Sequence, residues 1–567
     1  VQQFFKEAII QRMFPSRLVG TELVLASFFI NILGFTLPLF VMQVLNRYVS
    51  HGIDGTLFTL AVGALVALGM EFSYKQLRLR IMGIICSHAD QQVARNTFHD
   101  LVHIQGDTLL KLPNHKKQYL MQCVESIQSG LSANNLITIF DLPFAVLFVA
   151  VLWLLSQPIA IIVVCCITFT ILLGTLENNL SKVLATKILH QKTEKQDVVN
   201  SVLNSDFDTL HIFKAQNYLS QLWQRIGDKF YPMQKLYQRH QGLIQNITQS
   251  LVGLQSVFVI SVGALFVVRG ELNVGALISC NILAQKALQP FMKMTQLSNY
   301  LSEVESGLSA LGQLKSVPKI EDAGVQIPEM RGQIRFKDLG YQFDSDPSPL
   351  FEYFDVAIEP GSVVIIQGDN GAGKTTLLKL LAGVISPSRG QILIDGVDLR
   401  QLKPSFWSRQ ICYLPQELCF VSGSILDNIV SHVPDLPADS FSDLIQLSGL
   451  RSFLDKTKEG VATKITDNGH TLAMGIRRRI AIARAMASQG KIILFDEPTD
   501  GLDIHGQATV YALLNKKKQE GATIFIASHD PNIIKAANYV VNLNEKPTPK
   551  ITKFSVKSQE NAGNSND

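Results

Sequence analysis

SVVIIQGDNGAGKTT, residues 362–376, decides how the C-terminal part of this chain folds. An apolar run of β-branched residues runs straight into three glycines, a lysine and two threonines, which predicts a strand, a tight loop and a helix beginning near KTTLLKLL. The loop satisfies the pattern G-x-x-x-x-G-K-[ST]: its glycines let backbone amides face a phosphate chain, Lys374 reaches the outer phosphate oxygens, and Thr375 is placed to ligate Mg²⁺. The positive end of the following helix adds to the same site. Gly368, Asp369, Asn370, Gly371, Ala372, Gly373, Lys374, Thr375 and Thr376 are therefore the expected phosphate-binding residues.

Downstream, KIILFDEPTDGLD (491–503) is another apolar strand, delivering Asp496 and Glu497 to its C-terminal end, where α/β sheets bind ligands. Asp496 suits a Mg²⁺ held through water, and Glu497 suits the activation of an attacking water. Positioning and charge stabilisation are most of what phosphoryl transfer needs. His529 ends a further strand in IFIASHD as a γ-phosphate contact or a surface residue, and Gln416, in CYLPQE, can reach Mg²⁺ or the water with an uncharged side chain. Strands alternating with helices over about 331–550 predict an α/β domain with a mainly parallel sheet. A polar linker with two prolines precedes it (316–330), and a polar tail (551–567) reads as disordered.

Working towards the N-terminus, the composition changes. Across the 567 residues 47% are hydrophobic and only 17% charged, against about 25% charged in a typical soluble domain. Residues 1–315 hold apolar stretches of about 20 residues, the length that crosses a hydrocarbon core as a helix. Six spans are expected, near 21–45, 56–75, 134–155, 157–176, 248–268 and 273–297. Long polar stretches rich in Arg and Lys separate the second span from the third and the fourth from the fifth, while the opposite connections are short. The positive-inside rule places both termini and both long loops in the cytoplasm. Asn31, Glu71, Lys75 and Asp141 lie in or beside the spans and should face protein or water, with Glu71 and Lys75 able to neutralise one another across one helical turn. The net charge of +4 and the lack of a basic stripe argue against nucleic acid. Seven scattered cysteines read as small buried hydrophobes. The chain opens at Val1, so its start is expected to be missing or processed, and the opening stretch lacks the features of a signal peptide.

With these motifs in place, residues 331–550 resemble the nucleotide-binding domain of an ABC transporter, and residues 1–315 resemble the membrane domain of an ABC exporter half. The fold this implies is an all-α six-helix transmembrane exporter domain followed by an α/β P-loop ABC ATPase domain that binds ATP and Mg²⁺. The resemblance implies adenine stacking on Phe343, 31 residues before Lys374; read alone, a Phe close to a Tyr in a strand is more simply core. It implies a Q-loop at Gln416, a catalytic Glu497, metal ligation by Thr375, Gln416 and Asp496, a D-loop from Asp500 to Asp503 and a switch His529. One element departs from the family pattern. Where LSGGQ is usual, this chain has LAMGI, with Ala473 for the serine and Met474 for the first glycine, leaving Gly475. In the family this loop closes on the ATP held by the opposite subunit, so Ala473 removes a charge-assisted hydrogen bond of about 1.5–3 kcal/mol there. A homodimer and a heterodimer with an intact partner signature both remain open, twofold symmetry favouring the first.

LPLFVMQVLNRYVSHGIDGTLFTLAVG (37–63), DLPFAVLFVAV (141–151) and RGELNVGALISCNILAQKALQP (269–290) are similar to the permease-ATPases of bacterial type I secretion systems. That similarity implies an inner-membrane dimer in the lipid bilayer, multi-pass with both termini cytoplasmic. It would pass unfolded polypeptide outward with a periplasmic membrane-fusion protein and a TolC-like outer-membrane channel. Some members carry a peptidase-like domain before the first span; about 20 residues precede it here, without protease residues. The segments at 105–113 and 204–216 are the expected coupling helices. The alternatives are an exporter of lipid, peptide or drug, or the signature-degenerate subunit of a heterodimer.

Overall fold

The computed structural model describes residues 12–14, 16–49, 54–203, 207–344 and 346–554. Two compact units emerge. One holds the chain through His103 together with Leu112–Val317; the other holds Ile104–Lys111 together with the chain from Pro318 on.

The first unit is all helix. Arg17–Leu33 begins at Ser16, whose side chain accepts from the Val19 amide, and continues through Thr36–Gln43 and a wide π turn over Val44–Tyr48. Helices of 49, 47, 54 and 43 residues follow at Asp54–Val102, Gln157–Leu203, Ala215–Val268 and Val274–Ser316, with Ala133–Leu155 between the first two. A helix of 50 residues is roughly 75 Å long, so the polar stretches either side of the apolar windows extend the spans without a break. The buried seam is Phe148, Leu152, Ile159, Val163, Leu251, Val259, Leu283 and Leu288. Side chains such as Phe58, Leu154 and Val268 point outward at 73–88% exposure, which water would penalise and lipid tails would not.

Among the described residues five helices, not six, are long and apolar enough to cross a membrane. The sixth expected span lies in Val274–Ser316, where Asn281, Gln285, Lys286, Gln289 and Lys293 interrupt the apolar run. Three of the polar groups expected in the spans are paired: Glu71 and Lys75 with one another at 2.5 Å, and Asp141 through a bidentate bond from Arg78 at 2.5 and 3.2 Å. No disulfide forms among the described residues; Cys86, Cys123, Cys280 and Cys412 are buried, but Cys165 and Cys419 are exposed, against the expectation for all seven.

The second unit is α/β. Its main sheet runs β12(Lys550–Lys553)–β11(Tyr539–Asn542)–β3(Val363–Gln367)–β10(Thr523–Ala527)–β9(Ile492–Asp496)–β6(Ile411–Leu414), parallel from β11 to β6 with β12 antiparallel at the edge. The near-continuous apolar reading of β3, β9 and β10 follows from burial on both faces: all five residues of β9 and of β10 are buried. An antiparallel sheet, β2(Phe351–Ile358)–β1(Ile334–Tyr341)–β4(Arg389–Ile394)–β5(Val397–Asp398), and a small β7(Gly423–Ser424)–β8(Lys464–Ile465) pair complete it. β12 corrects the domain edge drawn at 550: residues 551–553 pair with Tyr539–Val541, and the rest of the expected tail, from 555, lies outside the described residues. The linker is tied down too. Val325 exchanges backbone bonds with Gln401 and Lys403, and Asp322 accepts from the Ser405 amide at 2.9 Å.

The helix Gly106–Lys111, expected to couple the halves, belongs to this unit. Asp107 accepts from the Ser386 amide at 3.0 Å, Lys111 pairs with Asp344, and Ile104 is 1% exposed, bridging to Lys319. Gly106 leaves no room for a side chain, because a Cβ there would stand 2.1 Å from the Val384 carbonyl oxygen. Of the other coupling candidate, 204–206 lie outside the described residues and Phe207–His211 is a short helix in the first unit.

Candidate active site

Strand order assembles the site. β3, β10, β9 and β6 are neighbours in that order, so their C-terminal ends bring the glycine loop, His529, the Asp496–Glu497 pair and Gln416 to one edge of the sheet. The loop turns through positive φ at Gly371 (85°) and Gly373 (109°), conformations open to glycine. At Gly373 a Cβ would also meet Leu350 at 2.7 Å. The helix Lys374–Leu381 starts there and buries Leu377, Leu378, Leu380 and Leu381.

Lys374 donates to the Gly368 carbonyl at 2.6 Å and lies 3.1 Å from His529 Nε2. An ammonium can only donate, so Nε2 accepts and the imidazole is neutral with its proton on Nδ1. The 3.8 Å approach of His529 Nε2 to Glu497 is then a near contact rather than an ion pair. Thr375 Oγ1 lies 2.6 Å from Asp496 and 3.4 Å from the Gln416 amide oxygen; its single proton goes to the nearer carboxylate. These oxygens suit a hard cation, which takes hydroxyl, carboxylate and amide oxygens together with phosphate. No cluster of three His, Cys, Asp or Glu side chains able to hold a metal occurs among the described residues, so a cation here would draw on the Thr375 and Gln416 oxygens besides Asp496.

Both carboxyls are perturbed. Burial pushes Asp496 above the ordinary carboxylate range, against the Thr375 hydrogen bond and Lys374. Burial also raises Glu497, the Asp496 charge adding to it and Lys374 and the His529 backbone opposing, which makes it a stronger base than a surface glutamate. Glu497 sits in left-handed backbone, φ 45°, its amide donating to the Ala527 carbonyl at 2.9 Å; strain of this kind persists where surrounding structure over-determines it.

Phe343 lies two residues past β1, edge-on to Tyr341 with centroids 5.1 Å apart, and is 40% exposed. Its ring is therefore not core, the simpler of the two readings. Ala473, Met474 and Gly475 do not join the Lys374–Asp496 cluster by any hydrogen bond among the described residues. Ala473 is the N-cap of Met474–Ala487 and gives it no side-chain bond, and Met474 lies over the D-loop, 2.9 Å from where a Cβ of Gly501 would be.

Sequence reasoning missed Arg478. It is 2% exposed, its guanidinium reaching the Asp500 carbonyl at 3.2 Å, the Asp500 carboxylate at 3.7 Å and the Pro415 carbonyl at 3.4 Å. Burial depresses its pKa, with Asp500, Asp496 and Glu497 acting the other way. No sequence signal singles it out: Ala481, Ile482 and Ala485 follow it on one helical stripe, but Ile482, Ala483 and Met486 follow Arg479 at the same spacings, and all are buried.

Two family models match the two halves: ABC transporter transmembrane region at residues 21–291, and ABC transporter at 351–500. The chain is an ABC transporter. An AAA domain model also matches 470–535, the stretch from the signature loop past His529. The relatives place this ABC transporter with the type I secretion permease-ATPases. The alpha-hemolysin translocation ATP-binding protein HlyB of Proteus vulgaris is 26% identical over 548 residues, covering 93% of this chain and 74% of its own. The exotoxin translocation ATP-binding protein PaxB of Pasteurella aerogenes is 26% identical and the leukotoxin translocation ATP-binding protein LktB of Mannheimia haemolytica 27%, with the same coverage. A bacterial Atm1-family ABC exporter solved with ATP bound superposes with a TM-score of 0.79 at 18% identity, over 95% of this chain and 96% of that one. That likeness fixes the fold: a helical membrane domain followed by a P-loop ATPase.

Proposed function

We propose that this ABC transporter uses ATP hydrolysis to drive an unfolded polypeptide out of the bacterial cytoplasm, as the inner-membrane permease-ATPase of a type I secretion system. The observation that carries the reading is similarity along 93% of the chain, through both halves, to proteins named for translocating hemolysin, exotoxin and leukotoxin. Both termini face the cytoplasm, and Val274–Ser316 completes six crossings despite its polar residues. The protein acts as a homodimer with a periplasmic membrane-fusion protein and a TolC-like outer-membrane channel.

In this mechanism the loop amides and Lys374 bind the phosphates of ATP, and Phe343 supplies a face for adenine. Thr375, Asp496 and Gln416 are the residues that would hold Mg²⁺, which would supply positive charge against the negative charge that develops in phosphoryl transfer. Glu497 accepts the proton of the attacking water, its burial-raised pKa matching that task. His529, neutral and hydrogen-bonded to Lys374, offers its ring to the γ-phosphate. Ala473, Met474 and Gly475 face the nucleotide of the second copy. The uncapped Ala473 also favours a second reading, in which this chain supplies the weak signature of a heterodimer.

Export is tested in inside-out vesicles containing this chain alone, by ATP-dependent protection of an added unfolded polypeptide from protease, beside Glu497→Gln. Protection lost in the variant supports the reading. ATP-driven accumulation of lipid or dye without polypeptide would replace it.

A further inference from the structure

A cavity of about 590 Å³ opens inside the helical unit. Four helices each present one stripe to it. Glu71, Lys75 and Arg78 are spaced four and three apart on Asp54–Val102, and Lys286, Gln289 and Lys293 recur every three or four residues on Val274–Ser316. Asn134, Asn135 and Asp141 come from Ala133–Leu155, and Asn31 from Arg17–Leu33.

The charges do not balance. Glu71 is taken by Lys75 and Asp141 by Arg78, Arg78 also donating to Ser27 at 2.9 Å. Lys286 and Lys293 have no ion-pair partner among the described residues, so two cationic heads line the cavity without a carboxylate of their own. Gly34 makes room for one: a Cβ there would approach the Lys286 ammonium to 3.4 Å. Unneutralised lysines beside a bilayer core are costly and mark ligand paths.

The amides narrow the ligand. Asn31 gives one N–H of its NH₂ to the Ser27 carbonyl at 2.7 Å and keeps the other, and Asn135 gives both to the Ser129 and Gly130 carbonyls at 3.1 and 3.0 Å. The carbonyl oxygen of each takes no hydrogen bond among the described residues and is an acceptor, the sole group left on Asn135. A phosphate offers mainly acceptors and gains nothing from these, whereas a peptide brings backbone N–H donors along with any carboxylate it carries.

We propose that this cavity binds carboxylate-bearing segments of the exported polypeptide, Lys286 and Lys293 pairing with Asp or Glu side chains while Asn31 and Asn135 accept from the peptide backbone. The proposal rests on the polypeptide-export reading. Its test uses the full chain in phosphatidylcholine nanodiscs and two fluorescent synthetic peptides of equal length, a Gly-Glu repeat and a Gly-Gln repeat, titrated by anisotropy. The Glu peptide is expected to bind roughly tenfold tighter. Lys286→Gln/Lys293→Gln abolishes that preference, and Lys286→Arg/Lys293→Arg, which keeps both charges, retains it. Equal affinity of the two peptides for the wild type overturns the carboxylate site and leaves polypeptide export standing. Binding of neither peptide, in a sample that still binds nucleotide, overturns both. A Glu preference that survives Lys→Gln overturns the assignment to these lysines. Phosphatidylglycerol carried through purification by the wild type but not by the Gln variant, with equal peptide affinities, gives the cavity to a lipid headgroup instead.

Discussion

The nucleotide site and the membrane cavity both hold lysines without an ion-pair partner among the described residues, and they are built by opposite means. Around Lys374 the scaffold is backbone: a six-residue loop, 368–373, whose glycines take positive φ, fixed between strand and helix. Around Lys286 and Lys293 it is side chains alone, brought together from four helices. A backbone cradle fits one repeated chemical group, whereas a cavity of side chains can accept varied sequence. The difference teaches that a fixed fuel and a variable cargo call for different kinds of recognition.

The comparison breaks most visibly at Glu497. Glu497→Gln keeps shape and removes the base, so Mg-ATP hydrolysis by the chain purified in lipid should fall by roughly 10²–10⁴ while nucleotide binding persists; a small loss would move the base elsewhere. In the helical unit the corresponding cut is at Arg78. Removing one partner of a largely buried ion pair costs about 3–5 kcal/mol, so Arg78→Ala should lower the thermal midpoint of the solubilised chain. Arg78→Ala/Asp141→Ala should recover part of that loss, and a double variant no better than the single one would deny the pairing. Restoring a hydroxyl sharpens the comparison from the other side. If Ala473 faces the ATP of a second copy, Ala473→Ser should raise hydrolysis by about tenfold or more, and an unchanged rate would exclude that placement.

The smallest effect is one of pH. Burial raises the Asp496 pKa in the fold, so the folded chain binds more protons than the unfolded one between the unfolded value, about 3.9, and the raised value. Its cost to stability is absent below that window, grows as pH rises through it and is complete above. Without nucleotide or Mg²⁺, Asp496→Asn should therefore gain on the wild type with rising pH in denaturant titrations. A gap that stays level would mean that the Thr375 bond and Lys374 offset burial in full.

What could be read in the sequence follows the same division. Residues 362–376 place strand, loop, lysine and helix within 15 positions, so the local pattern carries the geometry. Asp496, Glu497, His529 and Gln416 were legible because each ends an apolar strand, although their meeting depends on a strand order that no local pattern contains. Arg78 was read as one of several basic residues of a cytoplasmic stretch, yet it bonds Asp141, 63 positions away. Lys286 and Lys293 were hidden inside an expected span, and with their polar neighbours they also break its apolar run. Arg478 was obscured by its neighbours in RRR, since only burial separates it from Arg477 and Arg479. The strand Lys550–Lys553 was missed because KITK is too short and charged to suggest a strand unless β11 is there to pair with it.

The helix Gly106–Lys111 has a consequence for taking the molecule apart. The ATPase unit is woven from two separate stretches of chain, with more than 200 residues of the helical unit between them. No single cut can release it whole. A polypeptide starting at Pro318 would lack Ile104 beside Lys319, leave the Ser386 amide without Asp107, and open the surface at Val384 that Gly106 covers. Such a fragment should be less stable and stickier than the same unit within the intact chain, and adding back a peptide of residues 103–113 should quiet it.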